Sequence, residues 1–523
     1  MRSLEKKSSR AFFVSILCLL LMSGVIIGVA AYHGFFLPYT NLSDDDTVYV
    51  AQTLLFNAGM AQTYFDHTGY IYILVVSKIF VLLHLLHVIP VDNFHSILVA
   101  KNFNIAFSQL VFAGRFISLF FSIIFVYTFY FIVNTLTNSR SLGVLLSVML
   151  ASTTGIAIQS MIIRPEMMSA YFGMLAFFLF VRAFQGQSHH FFWLLFFAAF
   201  FNFLALAVKL QAIIQFIAIP FLAIGFAYTT RLTANQIIVD HRHKKLNCVL
   251  FAVSLLFFAE LIGKVIVDIH FYQLIVIMLF ALWLRLSRLL FSISRDALTT
   301  ITLCLFAGSA IGFYCYYIHY ANNNVVYLFH FFTHLMPFAP DSMRAGMIHS
   351  FLLCLKQTLF TKISFVYLKK YPINLLASVL LLGAIYLFFK NQKIDALFLL
   401  FLLSACIFTE TLFHFRYYCA AYHIYIEYLY LMGIAFLCMK LHILHSHAMR
   451  LVWLIGAMIA AFSIASNLNQ IQKNTFTGMN IYQKPEHFCD MLIYTPPLQN
   501  YFGTLSECRV TFLKTHKTLN RKN

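Results

Sequence analysis

The chain has 523 residues, of which 61% are hydrophobic and 10% charged, with a mean hydropathy of +0.82. That composition excludes a soluble multidomain enzyme and a disordered chain, and it places the protein among polytopic helical membrane proteins. The net charge of +18 comes from 36 Lys and Arg against 18 acids; with no basic-aromatic module beside it, the excess reads as cytoplasmic topology signal and not as nucleic-acid contact.

Arg2, Lys6, Lys7 and Arg10 precede the first apolar run, 11–32. The N-terminus therefore stays in the cytoplasm, the run persists as an anchor, and the loop 33–69 emerges outside. In a chain this poor in acids, that loop carries Asp44, Asp45, Asp46 and Asp66. The three consecutive aspartates open an amphipathic pattern, Val48, Ala51, Leu54 or Leu55 and Ala58, which ends at Gly59 as a helix would. One acid would serve as a cap on the helix dipole. Three in a row repel one another and raise the pKa of at least one member, which is what a general base requires.

Further apolar runs occupy 70–90, 111–133, 142–162, 166–184, 191–208, 211–229, 248–268, 270–291, 300–320, 373–390, 394–413, 418–440 and 449–466. A break near 209 divides a run too long for one crossing. Basic loops around Arg140, Arg182, Arg231 to Lys245, Arg285 to Arg295, Lys390 to Lys393 and Arg450 can all lie inside together. Arg164-Pro165-Glu166, Lys209, the loop 321–372, Arg416 and the tail then face outward with the acidic loop. Counting from the N-terminus, an even number of crossings is needed between Tyr70 and residue 110, where the runs give one. Either 70–90 does not cross or part of 91–114 does, and the total is about 13–15 transmembrane helices.

The external loop 321–372 ends in an apolar segment edged by Lys356, Lys362, Lys369 and Lys370, with Arg344 before it, and reads as a helix in the headgroup plane. The tail 467–523 is polar and modestly basic. Most of the 10 cysteines lie in apolar runs without metal-type spacing. Cys489 and Cys508 in the tail are the exception: in an oxidising compartment they can pair, and two free thiols are the other reading. The domain division is thus 1–466, a transmembrane catalytic domain, and 467–523, an external tail.

Asp45-Asp46-Thr47-Val48-Tyr49, the helix ending at Gly59 and Tyr64-Phe65-Asp66-His67 before the next run together resemble the first external loop of the GT-C membrane glycosyltransferases. Closest in pattern are the protein O-mannosyltransferase and lipid-A aminoarabinose transferase families. The resemblance continues in order and spacing over about residues 11–430: Gly114-Arg115-Phe116-Ile117-Ser118 is similar to an Arg-x-x-Ser span opening, Arg164-Pro165-Glu166 to polar punctuation between spans, Lys209 to an interrupting lysine, and Arg416-Tyr417 to a late Arg-Tyr. Departures are Asp46 for Glu, Thr68 for Pro, and Val208 before Lys209 where Thr is common. The resemblance implies an all-α polytopic fold of GT-C type with external amphipathic juxtamembrane helices. It also implies an inverting transfer from a polyprenyl-phosphate-linked sugar, with Asp45 and Asp46 in the catalytic Asp and Glu positions. Asp44, His67, Arg164, Glu166, Lys209, Arg344, Arg416 and Tyr417 are the candidate contacts for lipid phosphate or sugar. A bacterial inner membrane is the expected location, with the site facing outward.

Ordinary readings stand beside these. Pro165-Glu166 is also a good helix start, Lys209 can snorkel from a helix end, and Arg416 can neutralise Glu410. Asp44 and Asp46 form an Asp-x-Asp, which in some sugar transferases holds a divalent metal through oxygen ligands; the families resembled do not rely on it, so a metal stays open and is not favoured. Glu260, Lys264 and Asp268, at i, i+4 and i+8, line one helix face and support a transporter or flippase as the competing class.

Overall fold

The computed structural model describes residues 17–29, 46–60, 69–185, 191–209, 213–230, 347–416, 420–445, 447–472 and, with one gap, 495–510, together with isolated positions that include Tyr39, Cys489 and Leu492. Among these residues every regular element is a helix. They are α1 (Leu17–Val29), α2 (Asp46–Asn57), α3 (Tyr70–Leu85), α4 (Phe94–Leu98), α5 (Phe103–Thr137), α6 (Arg140–Ala151), α7 (Thr154–Gln159), α8 (Glu166–Gln185), α9 (Phe191–Val208) and α10 (Ile213–Thr230). After a stretch outside the described residues follow α11 (Met347–Ile363), α12 (Phe365–Lys370), α13 (Leu375–Phe389), α14 (Lys393–Arg416), α15 (Ile424–Lys440), α16 (Ala448–Gln472) and α17 (Pro496–Phe502). Five of the described segments are long and apolar enough to cross a bilayer: Phe103–Thr137, Glu166–Phe184, Pro372–Phe389, Lys393–His414 and Ala448–Ile471.

The longest helix, α5, has 35 residues, about 52 Å at 1.5 Å per residue, against roughly 30 Å of hydrocarbon. Its ends follow from local chemistry. Asn102 accepts a hydrogen bond from the Ile105 amide at 3.1 Å, and Asn138 closes the helix in the left-handed region at φ 52°, a conformation asparagine tolerates better than most residues. The sequence reading opened this span at residue 111. The helix begins about two turns earlier, at Phe103, because Phe103 to Leu110 continue the apolar helical pattern.

Two apolar cores result. The larger joins the later part of α5 to α6, α8 to α10 and α13 to α15. The second joins α2, α3, α4 and the first half of α5 to Ile163, Met168 and Val208, and to Cys489, Leu492, Leu498 and Cys508 of the tail. Cys489 and Cys508 form a disulfide.

Within the second core, Tyr72 near the start of α3 places its hydroxyl 3.1 Å from Ser118 Oγ, midway along α5. At the far end of α2, Asn57 donates to the carbonyl of Asp92 at 2.7 Å and accepts from Ser77. The chain then returns through α4 to Phe103. The rise of α3, about 24 Å, matches the roughly 22 Å of α5 between Phe103 and Ser118. α3 therefore lies beside the first part of α5.

The run 142–162, expected as one span, is two helices, α6 and α7, broken at Ser152 and Thr153. The Ser152 hydroxyl turns back to the Met149 carbonyl at 2.7 Å, a local competition that favours a break, and Thr153 Oγ1 accepts from the Ile156 amide as the N-cap of α7.

Candidate functional site

Asp46, the first residue of α2, is fully buried. Its Oδ2 accepts a 2.8 Å hydrogen bond from Arg115 Nε and its Oδ1 a 2.6 Å bond from the backbone N–H of Ile163. A carboxylate out of water needs such partners, because an unpaired charge there costs several kcal/mol. Arg115 is itself buried on α5, so the pair fixes the beginning of α2 to the middle of the longest helix.

The residue after Ile163 is Arg164. Its Nη1 lies 3.5 Å from Glu166 Oε1, and its guanidinium sits over the Tyr422 ring, 5.9 Å from the centroid, within cation–π range. The same oxygen of Glu166 lies 2.9 Å from Lys209 Nζ. Lys209 follows the last residue of α9, where the sequence analysis placed a break. Glu166 occupies the first turn of α8, where the helix dipole favours an acid. Ser169 Oγ donates to the Ala205 carbonyl at 2.7 Å and so ties α8 to the end of α9. Counted together, Arg164, Lys209 and Glu166 carry one positive charge in excess.

The structure therefore brings together Asp46, Arg164, Glu166 and Lys209, which are drawn from residues far apart in the chain. Asp44, Asp45, His67, Arg344 and Tyr417 lie outside the described residues. Arg416 ends α14, and only its backbone is described. Glu260, Lys264 and Asp268 also lie outside the described residues. No grouping of three His, Cys, Asp or Glu suited to a metal ion occurs among the described residues.

A second polar cluster adjoins the first. Lys362, from the segment expected to lie among lipid headgroups, is buried. Its Nζ donates to Asn374 Oδ1 at 2.8 Å and pairs with Glu410 Oε2. Of that lysine edge, Lys356 and Lys369 are exposed, whereas Lys362 turns inward against α14. Glu410, for which Arg416 was one expected partner, is thus neutralised by Lys362. His423 Nε2 lies 3.8 Å from Glu410 Oε1, and burial pushes the His423 imidazole down to about 4 against the pull of Glu410. His423 directly follows Tyr422, so one short 3-10 turn, Ala420–His423, serves both clusters. One turn further, the buried Glu427 accepts from Thr153 Oγ1 at 2.6 Å and from the Gly155 amide at 3.0 Å.

Sequence reasoning overlooked His423, Glu427 and Tyr422, and assigned Lys362 to the headgroup edge where the structure buries it against Glu410. Arg115 was noticed as part of a motif, without its partner. The available signal was the rarity of charge inside apolar runs, which is costly unless paired.

No protein-family model matches the sequence, and no curated protein sequence is similar to it at a significant level. The structure is similar to that of the archaeal oligosaccharyltransferase AglB from Archaeoglobus fulgidus, solved in complex with an inhibitory peptide and a dolichol-phosphate, with a TM-score of 0.50 and 10% sequence identity. The match covers 89% of this chain and 56% of that one, so the chain spans little more than half of the archaeal protein. AglB is a GT-C enzyme, and at this identity the likeness is one of fold. The acid-opened helix before a long span, the polar turn ahead of α8 and the lysine ending α9 sit within a helical architecture of that kind: the chain is an integral membrane protein with the GT-C fold.

Proposed function

We propose that the protein is an inverting glycosyltransferase that moves a sugar, hexose or pentose, from a polyprenyl-phosphate donor to an acceptor hydroxyl at the outer face of its membrane. The observation that carries this reading is the bond from the Ile163 amide to Asp46, which sets the last residue of the acidic stretch beside the backbone that leads into Arg164. Asp45, next to that anchored residue, is the base. It takes the proton from the acceptor hydroxyl as the oxygen attacks the anomeric carbon; the bond from that carbon to the phosphate oxygen breaks, and the lipid phosphate departs with its electron pair. Cations placed beforehand stabilise that developing charge. The cluster of Arg164, Lys209 and Glu166, with its excess positive charge, suits this role, together with His67, Arg344, Arg416 and Tyr417; Asp44 completes the sugar-facing set. Asp46, buried and doubly bonded, orients the turn that carries Asp45.

A dolichol-phosphate bound in the archaeal neighbour supports a polyprenyl lipid as donor here. The disulfide shares an apolar core with α2. Disulfides persist in oxidising compartments, which supports a site on the periplasmic side of a bacterial inner membrane.

The test is sugar transfer by the full chain in nanodiscs, with an undecaprenyl-phosphate-linked radiolabelled sugar as donor and a membrane extract as acceptor source. Asp45→Asn is expected to abolish transfer while the protein elutes and melts like the parent. Undiminished transfer by that variant would refute the assignment.

A further inference from the structure

The tail forms a ring-to-ring path toward the acidic stretch. Tyr501 of α17 stacks on Phe103 at 5.4 Å and 25°, and Phe502 meets the same ring edge-on at 5.0 Å. Phe103 stacks on Phe107 at 5.4 Å and 13°, and Phe107 lies 5.0 Å from Tyr39. Tyr39 is buried and donates from its hydroxyl to Asn104 Oδ1 at 2.7 Å. At the other end of the row, both half-cystines are buried in the same core as these rings. Contacts of this geometry stabilise beyond area burial alone.

Tyr39 stands just before the three aspartates and Asp46 is the last of them, so the acidic stretch is bounded by two residues held on one helix. Tyr39 is held at Asn104 and Phe107, and Asp46 at Arg115. The second anchor is an ion pair inside the protein. The first leans on Phe103, which is covered from outside by the disulfide-closed tail.

We propose that Tyr39 and Phe103 are positioning residues for the acidic stretch, and that the Cys489–Cys508 clasp, by pressing Tyr501 and Phe502 onto Phe103, keeps the Tyr39 anchor in place. This inference rests on the proposed glycosyl transfer only for its catalytic consequence; the anchoring itself is a property of the folded chain. It assigns the tail a task in the site's geometry, at a distance from any reacting group.

Hydrogen–deuterium exchange of the full chain in nanodiscs tests the anchoring without any substrate. In Cys489→Ser/Cys508→Ser, amides of the peptide spanning residues 36–50 are expected to exchange roughly fivefold faster or more, with a peptide inside α8 unchanged. Phe103→Leu, which keeps both the disulfide and an apolar side chain, is expected to act in the same direction and decides the matter if the double variant does not fold. Unchanged exchange at 36–50 with faster exchange in the tail alone would overturn the proposal. In the transfer assay with undecaprenyl-phosphate-linked sugar, Phe103→Leu is expected to lower kcat several-fold at unchanged donor KM, and Phe103→Tyr to restore it. Faster exchange in these variants of a parent protein that transfers no sugar would sustain the clasp and sink only the enzymatic reading.

Discussion

Glu166 Oε1 lies 2.9 Å from Lys209 Nζ, and both side chains are fully buried at the junction of α8 and α9. Removing Glu166 takes from both Lys209 and Arg164 the carboxylate they share, in a buried site. Glu166→Gln is therefore expected to lower stability by about 3–5 kcal/mol, seen as a reduced yield of monodisperse protein and a lower Tm in detergent. The double variant Glu166→Gln/Lys209→Met is expected to recover much of that loss without recovering transfer. A single variant as stable as the parent would show that the pair is dispensable to the fold.

The two central aspartates are expected to separate stability from chemistry. Asp46→Asn keeps the shape but weakens the charge-assisted bonds to Arg115 and to the Ile163 amide, and leaves the guanidinium unneutralised. A loss of about 3 kcal/mol or more follows. Asp45→Asn, in contrast, is expected to spare Tm. Thermal melts of both variants side by side check the distinction.

Glu427 holds the beginning of α7 by two hydrogen bonds. A Cβ added at Gly155 would come 2.5 Å from Glu427 Oε2 and 2.7 Å from the Ile424 amide nitrogen, closer than side-chain atoms approach backbone. Gly155→Ala is expected to cost about 1–3 kcal/mol by overpacking. Thr153→Val, nearly isosteric, is expected to cost about 1–2 kcal/mol through the lost bond. Denaturation midpoints of the two variants measure both effects.

The imidazole of His423 is held neutral in the folded protein, down to about 4, by burial between Glu410, Lys362 and His414. In the unfolded chain it takes a proton near its ordinary value of 6.5. Acid therefore favours unfolding: the group is silent above about pH 7, and stability is lost as pH falls from 6.5 toward 4. Melting curves between pH 7.5 and 5.5 should show this decline in the parent and a shallower one in His423→Gln.

The helical class, the acid-opened helix and the break at Lys209 were legible because each rests on local pattern: runs of apolar residues, an acid at a helix start, a charge interrupting hydrophobicity. Partners were not. Arg115 and Asp46 meet across 69 residues, and nothing in the spacing of either says so. Lys362 sat on an amphipathic edge with Lys356 and Lys369, and periodicity does not say which lysine of an edge turns toward a buried glutamate on another helix. The placement of α3 resisted the sequence for a related reason. Hydropathy reports how apolar α3 is and not which helix it packs on; the contact of Tyr72 with Ser118 places it alongside α5.

One helix, α5, passes without a joint from the layer that holds the acidic stretch into the bundle, and it carries the fixings at Asn104, Phe107, Arg115 and Ser118 on its way. A continuous rod of this length resists bending, so the helices fixed along its first half and the bundle packed on its second must travel as one piece. In the proposed transfer, any opening and closing would then fall to the substrates and to segments not threaded on that rod.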